Sequence, residues 1–219
     1  MMTLTAADGH KFQAFEAGNV NAPRGLVVVQ EIFGVNAHIR KVAERLAGYG
    51  YRVLAPAMFD RVKPGIELDY TQDGIQAGLD ARGKIPEAQS LLDLEATAAA
   101  FGAGKPVGII GYCWGGSLAW DAAIGTKLFK AASCWYGGGI AAKREAKPNC
   151  PVQMHFGAED HGIPVSDVEA IKAAQPEADV FLYEGAQHGF GCEARPSFSH
   201  KDWELAELRS LAFFAEHLR

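Results

Sequence analysis

No uncharged stretch approaches the ~20 residues that a membrane-spanning helix needs. The longest, 106 to 120, is short and broken by glycines. The first residues, M-M-T-L-T-A-A-D-G-H-K, lack a basic segment followed by an apolar one, so no secretory leader is expected. Cysteine is sparse: Cys113, Cys134, Cys150 and Cys192 have no close paired spacing of the zinc-finger kind and are too few to staple a chain of 219 residues. Free thiols in a reducing cytoplasm follow. There is no block of like charge, and a net charge of -5 argues against nucleic acid or an anionic membrane as partner. Repeats, low-complexity tracts and linkers are also missing. What remains is an ordinary globular composition, 48% hydrophobic and 21% charged, expected to form a single domain over 1–219.

Short apolar runs alternate with helical patterns. After a hairpin around Asp8-Gly9, strands are predicted at Leu26 to Gln30, Arg52 to Ala57, Val107 to Ile110, Ala131 to Trp135, Val152 to Phe156 and Val180 to Tyr183. These runs are near-continuously apolar rather than alternating, as a parallel sheet covered on both faces requires. Helices are predicted at 37–49, 86–101, 115–124, 164–174 and 200–217. Ser166 with Glu169 and Ser199 with Asp202 fit capping boxes. In the last helix Trp203, Leu208, Leu211, Ala215 and Leu218 would form the buried stripe. The segment Met58 to Gly74, rich in Asp, Gly and Pro, reads as a long loop beside an active site. The alternation implies an α/β fold with a doubly wound, mostly parallel sheet flanked by helices.

One junction carries chemistry. Gly111-Tyr112-Cys113-Trp114-Gly115 has the form G-x-C-x-G between an apolar strand and a helix, which matches a nucleophile elbow with cysteine in the serine position. A strained turn lifts the reactive atom above the sheet and aims it at a helix N-terminus, where unpaired N–H groups favour negative charge. A buried structural cysteine is the alternative.

A thiol nucleophile needs a base, and the base needs an orienting acid. Past the strand Val152 to Phe156 comes Gly157-Ala158-Glu159-Asp160-His161-Gly162, and past Val180 to Tyr183 comes Glu184-Gly185-Ala186-Gln187-His188-Gly189-Phe190. Acid then histidine is the chain order of an α/β-hydrolase. His188 is favoured as base, with His161 its rival. Asp160 is favoured as acid over Glu159.

The blocks L-V-V-V-Q-E-I-F-G-V (26–35), G-Y-C-W-G-G (111–116), G-A-E-D-H-G-I-P (157–164) and H-G-F (188–190) resemble the signature blocks of the dienelactone hydrolase family, in order and over nearly the whole chain. The resemblance implies an α/β-hydrolase fold and a triad of Cys113, His188 and Asp160. It also implies that Glu31 lies against the nucleophile and helps handle the thiol proton. The oxyanion donors would be the backbone N–H groups of Trp114 and, by the resemblance, Ile32.

The reaction expected is opening of an enol-lactone or ester through an acyl-thioester, with no metal and no organic cofactor. A carboxylesterase or thioesterase with the same triad is the alternative; a thiol-redox or non-catalytic binding protein ranks below both. Well-known family members hold a substrate carboxylate with arginines, one of them four residues after the catalytic histidine. Here that position is Cys192, which leaves Arg195 and Arg82 as candidate anchors, with Arg61 in the same region as Arg82. Phe33, Trp114, Tyr136 and Phe190 could line an apolar pocket. The partner is a small molecule, and the chain is expected to act as a monomer, with a small homo-oligomer as the alternative.

Overall fold

The computed structural model describes residues 1–219. Eight strands form one sheet: β1 (Met2–Thr5), β2 (Lys11–Ala17), β3 (Gly25–Val29), β4 (Arg52–Pro56), β5 (Val107–Tyr112), β6 (Ala131–Trp135), β7 (Val152–Gly157) and β8 (Asp179–Tyr183). Their order across the sheet is β1-β2-β4-β3-β5-β6-β7-β8. The β1–β2 and β2–β4 pairings are antiparallel, and those from β4 through β8 are parallel. Every residue of β3 to β7 is buried, which is why these strands are mostly apolar in sequence. This is the α/β-hydrolase sheet that the strand pattern and the resemblance led us to expect.

Helices α1 (Ala37–Gly48), α3 (Glu87–Ala99), α4 (Trp114–Gly125), α5 (Val165–Ala174) and α6 (His200–His217) agree with the predicted ones to within two residues. Helix α2 (Gln72–Arg82) does not, because the sequence reading has no helix there. Gly74 and Gly78 weaken its helical signal, yet the fold requires at least the second: a Cβ on Gly78 would stand 2.0 Å from the Ile32 carbonyl oxygen. The long loop of 58–74 shrinks accordingly, since it also contains a 3₁₀ turn at Met58–Arg61.

Two helix-start readings need correction. Helix α5 begins at Val165 after Pro164, so Ser166 lies within the first turn and no side chain caps the end. Ser199 does occupy the cap of α6, but its hydroxyl donates to Asp202 Oδ2 at 2.6 Å and caps no helix N–H. The buried face of α6 is also rotated from the predicted stripe. It carries Asp202, Ala206, Glu207, Ser210, Phe213 and Phe214; of the predicted stripe Leu218 is buried and Trp203 and Leu211 are half-buried against the core, while Leu208 is 58% exposed and Ala215 faces solvent. Hydropathy points the wrong way because the buried polar groups are partnered. Ser210 Oγ meets Ser133 Oγ at 2.9 Å and His155 Nε2 at 3.1 Å, and Glu207 accepts from Arg45 Nε at 2.8 Å.

The chain leaves β3 toward β4 on one side and reaches β5 on the other, so the strand order reverses there. In open α/β sheets the crevice beyond the carboxyl ends at such a reversal is where ligands bind. Glu31 and Ile32 follow β3, and Cys113 follows β5.

Candidate active site

Cys113 occupies the turn between β5 and α4 with φ 57° and ψ -115°; only Tyr136 shares a positive φ among the non-glycine residues. A conformation of this kind costs on the order of 1–3 kcal/mol and persists only where its surroundings enforce it. Here the Cys113 N–H donates to the Trp135 carbonyl at 2.9 Å, tying the turn to β6. The flanking glycines are sterically obligatory. A Cβ on Gly111 would lie 1.9 Å from the Gly115 oxygen, and one on Gly115 would lie 2.3 Å from the Val29 oxygen. The start of α4 is thereby pressed against the end of β3.

Two backbone N–H groups beside that contact are free. Neither the Trp114 N–H, first in α4, nor the Ile32 N–H, just past β3, donates to any other protein group. Both belong to segments that Gly115 brings together, and α2 lies over the Ile32 carbonyl through Gly78.

His188, on the loop after β8, directs Nδ1 to Asp160 Oδ2 at 2.7 Å. Asp160 is buried after β7, and its Oδ1 accepts from the Gly162 N–H at 2.8 Å. Glu159 and His161, the alternatives left open by sequence, are both exposed. Burial alone would disfavour a charged His188, but hydrogen bonding to Asp160 and to Cys113, with the charges of both, outweighs it and pushes the imidazole up to about 10. The Tyr136 ring stands edge-on to the imidazole, centroids 5.2 Å apart, and Phe190 packs behind Tyr136 at 5.4 Å.

Glu31 is fully buried at the same rim. Its Oε2 accepts from the Tyr70 hydroxyl at 3.0 Å and its Oε1 from Arg195 at 3.4 Å; no hydrogen bond joins it to Cys113. The Arg195 guanidinium also stands 5.9 Å from the Phe33 ring centre and 6.0 Å from that of Tyr70. Burial opposes its charge, but the neighbouring Glu31 and, after it, Cys113 more than compensate and hold Arg195 above its ordinary value.

With this geometry in place, the comparisons are decisive. The model of the dienelactone hydrolase family matches residues 12–218. The chain belongs to that family. It is 40% identical over 195 residues to a Synechocystis protein whose name provisionally assigns it as a carboxymethylenebutenolidase, an alignment covering 80% of this chain and 78% of that one. To the carboxymethylenebutenolidase of Pseudomonas putida it is 31% identical over 231 residues, covering 98% of this chain and 95% of that protein. A crystal structure from Klebsiella pneumoniae, likewise assigned provisionally as a dienelactone hydrolase, superposes with a TM-score of 0.82 at 32% identity over 97% of each chain. Family membership makes this protein an ester hydrolase of the carboxymethylenebutenolidase-like type.

Within this dienelactone hydrolase family member, the remaining sequence candidates separate in space. Phe33, Tyr136 and Phe190 are all but fully buried in the core, and Trp114, 6% exposed, stacks on Phe59 at 5.4 Å. Arg82 is exposed at the end of α2 and forms no ion pair. It lines a cavity of about 400 Å³ together with Trp114, Ser90 and Lys143, and Arg195 is not among the lining residues. Arg61 is committed elsewhere, to Asp93 and Asp8, each at 2.8 Å. Two residues of the rim, Tyr70 and His38, escaped sequence reasoning, and Cys192 entered it only as the position where well-known family members carry an arginine. Only Tyr70 left a signal, by falling in the loop assigned to the site.

Proposed function

We propose that this dienelactone hydrolase family member opens an enol-lactone or activated ester with Cys113 as nucleophile. The observation that carries the reading is the strained Cys113 turn next to a His188 whose far nitrogen is held 2.7 Å from buried Asp160. Cys113 attacks as the thiolate, its proton already held on His188, and the sulfur bonds to the carbonyl carbon. The N–H groups of Trp114 and Ile32 receive the oxyanion. Collapse breaks the ring or ester C–O bond, and the leaving oxygen takes the proton back from His188. Water then attacks the acyl-thioester, giving its proton to His188, and the C–S bond breaks to release the acid and restore the thiolate beside the protonated imidazole. Asp160 stays ionised throughout and fixes the Nδ1–H tautomer. Thiolate leaves more readily than an amine, so lactones and activated esters suit this site better than amides.

The test is a hydrolysis screen of lactones and aryl esters with wild type and Cys113→Ala, alongside iodoacetamide labelling near neutral pH. Activity should vanish in Cys113→Ala, and Cys113 should label ahead of Cys134, Cys150 and Cys192. Full activity of Cys113→Ala on every hydrolysed substrate, or preferential labelling of Cys192, would remove the assignment.

A further inference from the structure

Beneath the rim, three side chains from distant parts of the chain converge. One carboxylate oxygen of Glu31, one ring nitrogen of His38 and the sulfur of Cys192 all lie within 4.8 Å of one another, and all three residues are buried. Glu31 follows β3, His38 lies in the first turn of α1, and Cys192 lies in the loop before α6. No motif spacing connects them.

The second observation concerns His38. The residue is 6% exposed, and its Nε2 is sealed from solvent with no hydrogen-bond partner. Leaving a buried ring nitrogen without a partner is unfavourable, and a bound ion is one way to satisfy it. Burial also holds His38 in the neutral form, the form that coordinates metals.

We propose that Glu31, His38 and Cys192 form a binding site for a thiophilic divalent metal ion, with zinc as the probe. A thiolate, an imidazole and a carboxylate are a donor set for zinc and its soft relatives, and one that magnesium and calcium avoid. Bonds of about 2.0–2.3 Å in a tetrahedron put ligand atoms roughly 3.3–3.7 Å apart, so the side chains need close by little more than an ångström. As the metal–sulfur bond forms, the Cys192 proton passes to the buffer. The two negative ligands then balance the ion. The metal competes with Arg195, whose guanidinium shares the Glu31 carboxylate at 3.4 Å. Binding therefore releases Arg195 from Glu31.

The experiment uses the full chain carrying Cys113→Ala, so that neither the elbow thiol nor the proposed reaction enters the measurement. Zinc affinity is measured by competition with a chromophoric chelator, and cobalt(II) is added separately to look for a thiolate-to-metal charge-transfer band. One zinc per chain and the thiolate band are expected. Adding Cys192→Ser should abolish the band, and His38→Gln should weaken zinc by at least about 10–100-fold, the loss that outer-shell changes alone can produce. Arg195→Ala should tighten zinc. Absence of stoichiometric binding in Cys113→Ala, or affinity unchanged by Cys192→Ser and His38→Gln, overturns the site. Should a second substitution prevent folding, the cobalt band in Cys113→Ala decides alone: its absence overturns the proposal.

Discussion

His188 Nδ1 and Asp160 Oδ2 stand 2.7 Å apart across 28 residues of sequence, joined by two loops at the carboxyl ends of β7 and β8. β7 and β8 pair in parallel, Gly157 opposite Tyr183, so both loops emerge on one edge of the sheet. Backbone bonds lock them together: the Ala158 N–H donates to the Tyr183 oxygen and the Glu159 N–H to the Ala186 oxygen, each at 2.9 Å. The pair is therefore a product of the scaffold, and its substitution should affect chemistry more than folding.

Asp160→Asn keeps the shape but removes the charge that holds the His188 tautomer. We expect kcat on an activated ester to fall by on the order of 10²–10⁴, the usual worth of a positioned acid–base group, with KM within a few fold. Steady-state kinetics with a circular dichroism control checks it. A variant as active as wild type would detach Asp160 from the reaction.

The proton on His188 gives a second prediction. Histidine ordinarily titrates near ~6.5, whereas here burial is outweighed by Asp160 and Cys113, which push it to about 10. The folded state binds its proton more tightly than the unfolded chain does. Its stabilising contribution is thus complete below pH ~6.5 and is lost as pH rises toward about 10. In urea melts, the stability advantage of wild type over His188→Gln should shrink between neutral pH and pH 10. In Cys113→Ala the NMR titration midpoint of His188 should drop, because a hydrogen bond and a charge both disappear. An advantage that does not vary with pH counts against the assigned protonation.

What sequence revealed and what it concealed have separable causes. Strands β3 to β7 were legible because burial on both faces leaves a mostly apolar run. Cys113, Asp160 and His188 stood out because each comes just past a predicted strand. Helix α2 was hidden, since Gly74 and Gly78 serve close backbone approach at the expense of helix propensity. The face of α6 was misread because Glu207 and Ser210 are buried with partners. The Tyr70–Glu31–Arg195 contacts were invisible for another reason. Their members are 39 and 164 residues apart, and no local period records a contact made by topology.

Gly78 offers a test of how α2 supports the site. Alanine normally stabilises a helix by about 0.5–1 kcal/mol over glycine. At this position its Cβ would meet the Ile32 oxygen at 2.0 Å, and a backbone atom cannot swing away as a flexible side chain can. The clash wins, and either α2 or the Ile32 segment must shift. Gly78→Ala should therefore lower kcat, by up to about 10²–10³ if the Ile32 donor is lost. Gly83→Ala is the control, because its nearest neighbour would be a helix carbonyl at 3.3 Å. Equal kinetics in the two variants would show that the Ile32 segment does not depend on α2.

The two candidate carboxylate anchors differ enough to be distinguished. Arg195 is mostly buried on the rim, already bound to Glu31 and sensitive to the charge on Cys113. Arg82 is exposed and without an ion pair, on a cavity whose lining does not include Arg195. A charge-assisted hydrogen bond is worth about 1.5–3 kcal/mol, so losing one from a bound carboxylate should raise KM roughly 10–100-fold. Arg195→Ala should do this for carboxylate-bearing lactones and spare neutral aryl esters, whereas Arg82→Ala should leave both unchanged. Removing Arg195 also strands the buried Glu31 carboxylate with Tyr70 alone, which itself repels an anionic substrate. Combining Arg195→Ala with Glu31→Gln separates these effects. If KM for the acidic lactone stays high in the double variant, Arg195 binds the carboxylate directly; if it returns to the wild-type value, the arginine acts only by neutralising Glu31.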